Sequence, residues 1–335
     1  MSKVKVLVVN NIGEERLRQI SDVGPEIEVM DASRLWVAPD PFIPNRKEDS
    51  RNPKFSALLS EAEVIYGLRF PEKLIERAPR LRWIQGQGTG VKHVLTNEVV
   101  KSRVTVTNIS TLRATPMAEL TFSLIMMLAK QAPLLFRSQQ RKKWQRFSHV
   151  MLQSKTLGVV GLGRIGKGVA RLAHAFGMKV IGTRRSAPGK TRPRYVDEIL
   201  KKELLPRLLT ESDFVVLSIP DIPETYKLIG ERELKAMKPT AYLINVARGS
   251  ALDEEALIHA LEENWIAGAA LDVYTKEPLP SHSKLWALPN VIISPHVGGE
   301  MVDALGKTTE FFCENLRRYI NGKRLLDIVD KKMGY

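Results

Sequence analysis

The chain has 335 residues, 44% hydrophobic and 26% charged, an ordinary globular composition that excludes a disordered or fibrous protein and predicts about two domains. Its net charge of +14 is concentrated: residues 120–196 hold sixteen Lys and Arg and no Asp or Glu, so the question is what this one basic block binds. Cys313 is the lone cysteine, which excludes an intrachain disulfide and any zinc or iron–sulfur cluster built from thiolates.

In chain order, the first apolar run, Val6–Val9, stops at Asn10 and Asn11 and is too short for a signal-peptide core, so a cytoplasmic protein is expected. Strands are predicted at Val4–Val9, Glu28–Met30, Ala62–Tyr66 and Leu81–Ile84, with helices from Glu14 and near Glu72–Arg77, which is an α/β pattern. The proline-rich segment Ala32–Phe55 has no period and reads as a long surface loop, either covering a cleft or a passive excursion. Thr115–Trp144 reads as one long helix or two joined at Pro133, with Leu120, Leu124, Met127 and Leu128 on one face. Such a helix serves either a domain or subunit contact or a plain core. Its apolar part, Leu120–Ala129, is interrupted by Thr121 and Ser123 and falls short of the roughly 20 residues a membrane crossing needs.

From Lys155 on, short apolar strands alternate with helices: strands Thr156–Val160, Lys179–Gly182, Phe214–Ile219, Ala241–Val246, Ala267–Leu271 and Val291–Ser294, with helices ending at Gly177 and spanning Glu231–Met237 and Asp253–Glu263. That alternation predicts a parallel sheet covered on both faces. Gly161-Leu162-Gly163-Arg164-Ile165-Gly166 follows a strand and opens a helix, the context in which a GxGxxG turn binds a dinucleotide. Gly161 permits the tight turn, Gly163 lets backbone approach the pyrophosphate, and Gly166 lets helix pack on sheet. An NAD site places an acid at the end of the next strand to hold the ribose hydroxyls. Here that strand ends Gly182-Thr183-Arg184-Arg185-Ser186, and the first acid after the glycine turn is Asp197. Arg184 and Arg185 therefore favour NADP over NAD by gripping a 2′-phosphate; the other reading makes them solvated loop residues, with NAD held by other contacts.

The segments Lys155–Gly166, Ile244–Gly249, Ala270–Val273, Lys276–Leu279 and Ser294–Gly299 together make the chain resemble the D-isomer-specific 2-hydroxyacid dehydrogenase family, most closely its glyoxylate/hydroxypyruvate reductase branch. The resemblance implies an α/β protein of two doubly wound parallel-sheet domains: a flavodoxin-like substrate domain (1–112 and 297–335) and a Rossmann cofactor domain (113–296), closing on each other to exclude water. It further implies a homodimer contact at the helix from Thr115 and a catalytic set of Arg248, Glu277 and His296. Reducing a 2-keto acid needs such groups. A permanent cation holds the carboxylate and polarises the carbonyl, and an imidazole, with an ordinary pKa near 6.5, moves a proton near neutrality. A carboxylate orients the ring. All three follow predicted strand ends, where open α/β sheets bind ligands. Each has a plainer reading: a histidine after Ser-Pro is often structural, Arg248 could sit in a surface ion pair, and Glu277 before Pro278 could start a turn.

By the same resemblance, Gly161, Gly163, Arg164, Ile165, Gly166, Arg184, Arg185, Ile219, Pro220, Thr225, Val246, Ala247, Arg248, His296 and Gly298 line the cofactor site, and Asp272 meets the nicotinamide carboxamide. Gly88, Thr89 and Gly90 offer backbone N–H groups to the substrate carboxylate beside Arg248 and His296. Lys92 stands where the family often has Asp, and Asp221-Ile222 replace its usual small or hydroxyl residues after Pro220. Competing readings are a dinucleotide-binding corepressor without enzymatic activity and an NAD-dependent D-lactate or phosphoglycerate dehydrogenase. No metal is expected, and direct nucleic-acid binding through the basic block is disfavoured because no nucleic-acid module accompanies it.

Overall fold

The computed structural model describes residues 3–36, 52–184 and 193–335. It divides into two compact units, Met1–Arg113 with Met301–Tyr335, and Ala114–Glu300.

In the first unit, β1 (Val4–Val8), β2 (Ile27–Asp31), β3 (Val64–Gly67), β4 (Trp83–Gly86) and β5 (Thr105–Thr107) form a parallel sheet in the order β2-β1-β3-β4-β5. Side chains of a strand alternate between faces, and both faces here are covered, so the buried strand positions are mainly apolar. Leu7 and Ile65 enter one core with Trp36 and Phe55, whereas Val6, Val8, Val64 and Tyr66 enter the other with Trp83 and Phe312. The helix Ala304–Ile320 returns to this unit, where Asn315 Nδ2 donates to Gln85 Oε1 at 3.0 Å and Leu326 N donates to Asn315 Oδ1 at 2.7 Å.

The described ends of the proline-rich segment carry structure that its composition did not suggest. Residues 37–51 lie outside the described part of the chain, but Trp36 is buried and stacks on Phe55 with 5.8 Å between ring centroids. A helix runs over Pro53–Glu61. Proline suits its first turn, and Asn52 Oδ1 caps it by accepting from Lys54 N at 3.0 Å and Phe55 N at 3.3 Å.

In the second unit, β6 (Thr156–Val160), β7 (Lys179–Thr183), β8 (Glu198–Leu200), β9 (Phe214–Leu217), β10 (Tyr242–Asn245), β11 (Gly268–Leu271) and β12 (Val291–Ile293) form a second parallel sheet, ordered β12-β11-β10-β9-β6-β7-β8. The chain reverses direction across the sheet between β6 and β9, the kind of switch point at which open sheets leave a crevice at their carboxyl ends. The strand β8 was not anticipated; it is short and lies at the edge. The long helical region is two helices, Ser110–Ala129 and Ala132–Gln140, and the break falls at Gln131, whose φ is 51°. Pro133 sits in the first turn of the second helix, where its missing N–H has no helical partner to lose. Trp144 lies beyond both helices and is 96% exposed. The helix Ser110–Ala129 is long and apolar enough to cross a membrane by length and composition, unlike the shorter apolar stretch considered above. Its Phe122, Leu124, Ile125 and Leu128 are nonetheless buried in a core with Val169 and Ala170.

Candidate active site

The glycine turn after β6 divides into two close-packed positions and one open one. Gly161 has φ 100°, and a Cβ there would lie 2.6 Å from the Ser218 carbonyl oxygen; at Gly166 it would lie 2.3 Å from the Gly161 carbonyl oxygen. Backbone cannot yield as a side chain can, so both sites require glycine. A Cβ at Gly163 would meet nothing within 4 Å. Gly163 also precedes the helix Arg164–Ala175, whose first turn carries no acid and no side-chain cap. The helix thus presents uncapped N–H groups and a partial positive charge beside open space, which fits the pyrophosphate of a dinucleotide. Arg164 and Ile165 follow on its first turn, exposed and half-buried respectively.

Arg184 is exposed just beyond the end of β7, and Arg185 lies outside the described residues. The next acids are engaged elsewhere: Asp197 Oδ2 accepts from Val180 N at 2.7 Å, near the start of β7, and Glu198 pairs with Arg207 through contacts of 2.8 and 3.0 Å. Beyond β9, Ser218 Oγ donates to the Gly161 carbonyl at 2.8 Å, which docks this segment on the glycine turn. Ile219 and Pro220 follow half-buried, and the Thr225 hydroxyl lies 2.7 Å from the Pro220 carbonyl and closes the turn. Val246 and Ala247 are buried at the end of β10.

The three catalytic candidates come from consecutive strand ends. Arg248 follows β10, and its turn is shaped by the fully buried Asn245, whose Nδ2 donates to the Arg248 carbonyl at 3.0 Å and whose Oδ1 accepts from Ala247 N at 3.1 Å. The guanidinium Nη1 donates to the Ala247 carbonyl at 2.7 Å. At Gly249 a Cβ would lie 2.0 Å from the carbonyl carbon of Tyr274, so the turn after β10 sits flush on the turn after β11. That second turn carries Glu277. Its Oε1 accepts from Tyr274 N at 3.0 Å, and its Oε2 lies 2.7 Å from His296 Nδ1.

His296 has φ 56°, a left-handed conformation that is uncommon outside glycine and therefore needs support from its surroundings. Asp272 supplies it. This carboxylate is fully buried; Oδ1 accepts from Ser294 Oγ at 2.6 Å and Val297 N at 3.0 Å, and Oδ2 accepts from Gly298 N at 3.0 Å. Asp272, expected at the carboxamide, thus holds the Ser294 side chain before His296 and the backbone after it. Gly298 is packed as well: a Cβ there would lie 2.7 Å from that carboxylate. Sequence reasoning assigned no role to Tyr274, whose hydroxyl donates toward the Leu271 carbonyl at 2.8 Å and accepts from Ser294 N at 3.2 Å. Burial pushes its pKa well up, so the hydroxyl stays protonated. Polar residues at buried strand ends, such as Asn245, Asp272 and Ser294, were the available signal for this support.

In the first unit, Gly88, Thr89 and Gly90 follow β4, and Asn108 Nδ2 donates to the Thr89 carbonyl at 3.1 Å. Gln87 Oε1 accepts from Asn10 Nδ2 at 3.0 Å. His93 Nε2 lies 2.9 Å from the Leu68 carbonyl oxygen; burial, and then the Arg69 charge, hold its imidazole below the ordinary histidine range. The opposite, amino-terminal edge of this sheet carries an open cleft of about 860 Å³ lined in part by Glu63, Arg82, Arg103 and Tyr319. None of the predicted site residues lines it. Among the described residues no group of three His, Cys, Asp or Glu is placed to hold a metal.

Comparison with known proteins places the chain by family and fold. Residues 122–298 match the family model of the D-isomer specific 2-hydroxyacid dehydrogenase NAD binding domain. A glyoxylate reductase of Thermococcus onnurineus is 37% identical over 348 residues, covering 99% of this chain and 97% of the relative. Among solved structures, a D-isomer specific 2-hydroxyacid dehydrogenase of Xanthobacter autotrophicus in complex with NADPH and MES superposes with a TM-score of 0.81 at 27% identity, over the whole of both chains. An NADPH-dependent glyoxylate/hydroxypyruvate reductase of Sinorhizobium meliloti, in complex with NADP and sulfate, gives 0.80 at 26% identity over 99% of this chain and all of that one.

Proposed function

Because the chain belongs to the D-isomer specific 2-hydroxyacid dehydrogenase family, and so is an NAD(P)-dependent oxidoreductase, we propose that it reduces glyoxylate and hydroxypyruvate and prefers NADPH. The contact of His296 Nδ1 with Glu277 at 2.7 Å carries this reading. With Nδ1 committed to Glu277, Nε2 is the nitrogen that gives a proton to the keto oxygen in reduction and takes it back in oxidation. Glu277, itself fixed through Tyr274 N, sets the plane of the ring and the tautomer. Arg248 binds the substrate carboxylate and polarises the carbonyl. The nicotinamide, when bound, supplies the hydride. Gly161, Gly163 and the N-terminus of the helix Arg164–Ala175 hold its pyrophosphate.

The NADPH preference rests on Arg184 at the end of β7 and on the engagement of Asp197 and Glu198 away from that end. Two similar solved structures carry NADPH or NADP, which supports the same choice. The presence of the full catalytic set and the glyoxylate reductase relatives favour an enzyme over a corepressor. Exposed Leu135, Phe136 and Trp144, in and just beyond the helix Ala132–Gln140, support a homodimer in which a second copy covers them. The test is a panel of glyoxylate, hydroxypyruvate and pyruvate assayed with NADPH and NADH, with Arg184→Ala alongside. The expected result is a higher kcat/KM with NADPH that Arg184→Ala narrows; an NADH preference overturns the cofactor assignment, and no turnover of any 2-keto acid overturns the substrate class.

A further inference from the structure

Asp221 follows Pro220, and the chemistry above gives it no task. Its Oδ1 accepts from Ser250 Oγ at 2.8 Å. Ser250 lies within the short helical turn Gly249–Ala251 that Arg248 precedes. Backbone bonds join the same two segments farther along, from Lys227 N to the Ser250 carbonyl at 2.7 Å and from Ile229 N to the Ala251 carbonyl at 3.1 Å. At its other end the Asp221 segment is docked on the glycine turn, through Ser218 Oγ and the Gly161 carbonyl. Two side-chain contacts and the short stretches of chain between them thus connect the dinucleotide turn, through Ser218, Asp221 and Ser250, to Arg248.

A half-buried carboxylate beside a site that receives an anionic cofactor is an electrostatic liability unless it does something there. What it does is accept a charge-assisted hydrogen bond, roughly twice as strong as a neutral one. We propose that Asp221 is a positioning residue for Arg248: through Ser250 it fixes the turn that aims the guanidinium, and it ties that turn to the wall of the cofactor site. The inference rests on the reading of Arg248 as the group that binds the substrate carboxylate. Because the Arg248 guanidinium already touches its neighbour's carbonyl, its reach is governed by the conformation of this turn.

The test compares Asp221→Ala, Ser250→Ala, the double variant, Asp221→Asn and Arg248→Ala in steady-state reduction of glyoxylate, with dinucleotide affinity measured by calorimetry. Loss of one hydrogen bond to a charged group predicts that each alanine variant raises KM for the keto acid about 10-fold, with a smaller change in kcat. The double variant should be no worse than Asp221→Ala alone, because the contact that Ser250→Ala removes is already gone. Asp221→Asn keeps an acceptor oxygen and should stay within about 3-fold of the parent, since a neutral bond gives up only part of the interaction. A purely structural role would lower kcat and melting temperature without this rise in KM or the rescue by Asn. Unchanged KM in both alanine variants, additive losses in the double variant, or Asp221→Asn as poor as Asp221→Ala each overturn the proposal. If Arg248→Ala itself leaves KM and kcat intact, it is the reading of Arg248 that fails; if that variant collapses while Asp221→Ala does not, only the positioning role fails.

Discussion

After β11 the chain buries a carboxylate, Asp272, and the segment that follows β12 binds to it through Ser294, Val297 and Gly298. After β4, in the other unit, the corresponding strand end is Gly88-Thr89-Gly90, where Asn108 braces the Thr89 carbonyl. Both are carboxyl ends of parallel strands. The difference follows from what each end is proposed to present. A proton-transferring imidazole has to hold one ring plane and one tautomer, and His296 does so in a backbone conformation that only a firm clamp maintains. A loop that receives an anion through N–H groups needs only its own conformation.

Four outcomes would break or sharpen this contrast. The largest belongs to His296→Ala, which should lower kcat by about 10² or more because it removes the proton donor; turnover within a few-fold of the parent would dismiss the side-chain half of the comparison. Asp272→Ala comes next. It leaves two backbone N–H groups without their acceptor and should cost about 10-fold or more in kcat/KM, at about 1.5–3 kcal/mol per lost charged hydrogen bond. Asp272→Asn should lose less, and kinetics read beside thermal melts separate misplacement of His296 from general unfolding. In the first unit, Thr89→Ala should change KM by less than about 3-fold, since surface truncations away from a special contact stay within about 0.5 kcal/mol. A 10-fold rise would mean that this strand end also works through a side chain.

The smallest effect is one of pH. The His93 imidazole is held below its ordinary range by burial and by Arg69, so the unfolded chain binds its proton more readily than the folded one. Stability should therefore fall as pH drops from about 6.5 through the lower folded-state value. His93→Gln removes that contribution and should flatten the acid side of a stability profile measured by denaturant melts; an unchanged profile would place the acid sensitivity elsewhere.

The segments legible in the sequence are those whose cause is local. The strands β6 and β9 to β12 announce themselves as short apolar runs between helices, and the glycine turn by its place between strand and helix. Arg248, Glu277 and His296 became candidates through the family resemblance of short motifs, and the structure places each beyond a strand end. The edge strand β8 and the helix Pro53–Glu61 were not, the first for its brevity and the second because proline punctuation reads as loop until Asn52 is seen to cap it. Gln131 likewise broke the long helix where Pro133 drew the eye.

Periodicity and spacing thus determined the α/β alternation and the dinucleotide turn, because these depend on neighbours a few residues away, while the two-domain plan and the candidate catalytic side chains came through the resemblance of short motifs to a known family. Only the tertiary structure decided what holds them: Asp272 on the segment of His296, Gly249 against Tyr274, and Asp221 on Ser250. Those contacts join residues separated by about 25 positions of chain, and they form only when adjacent parallel strands bring their carboxyl ends side by side.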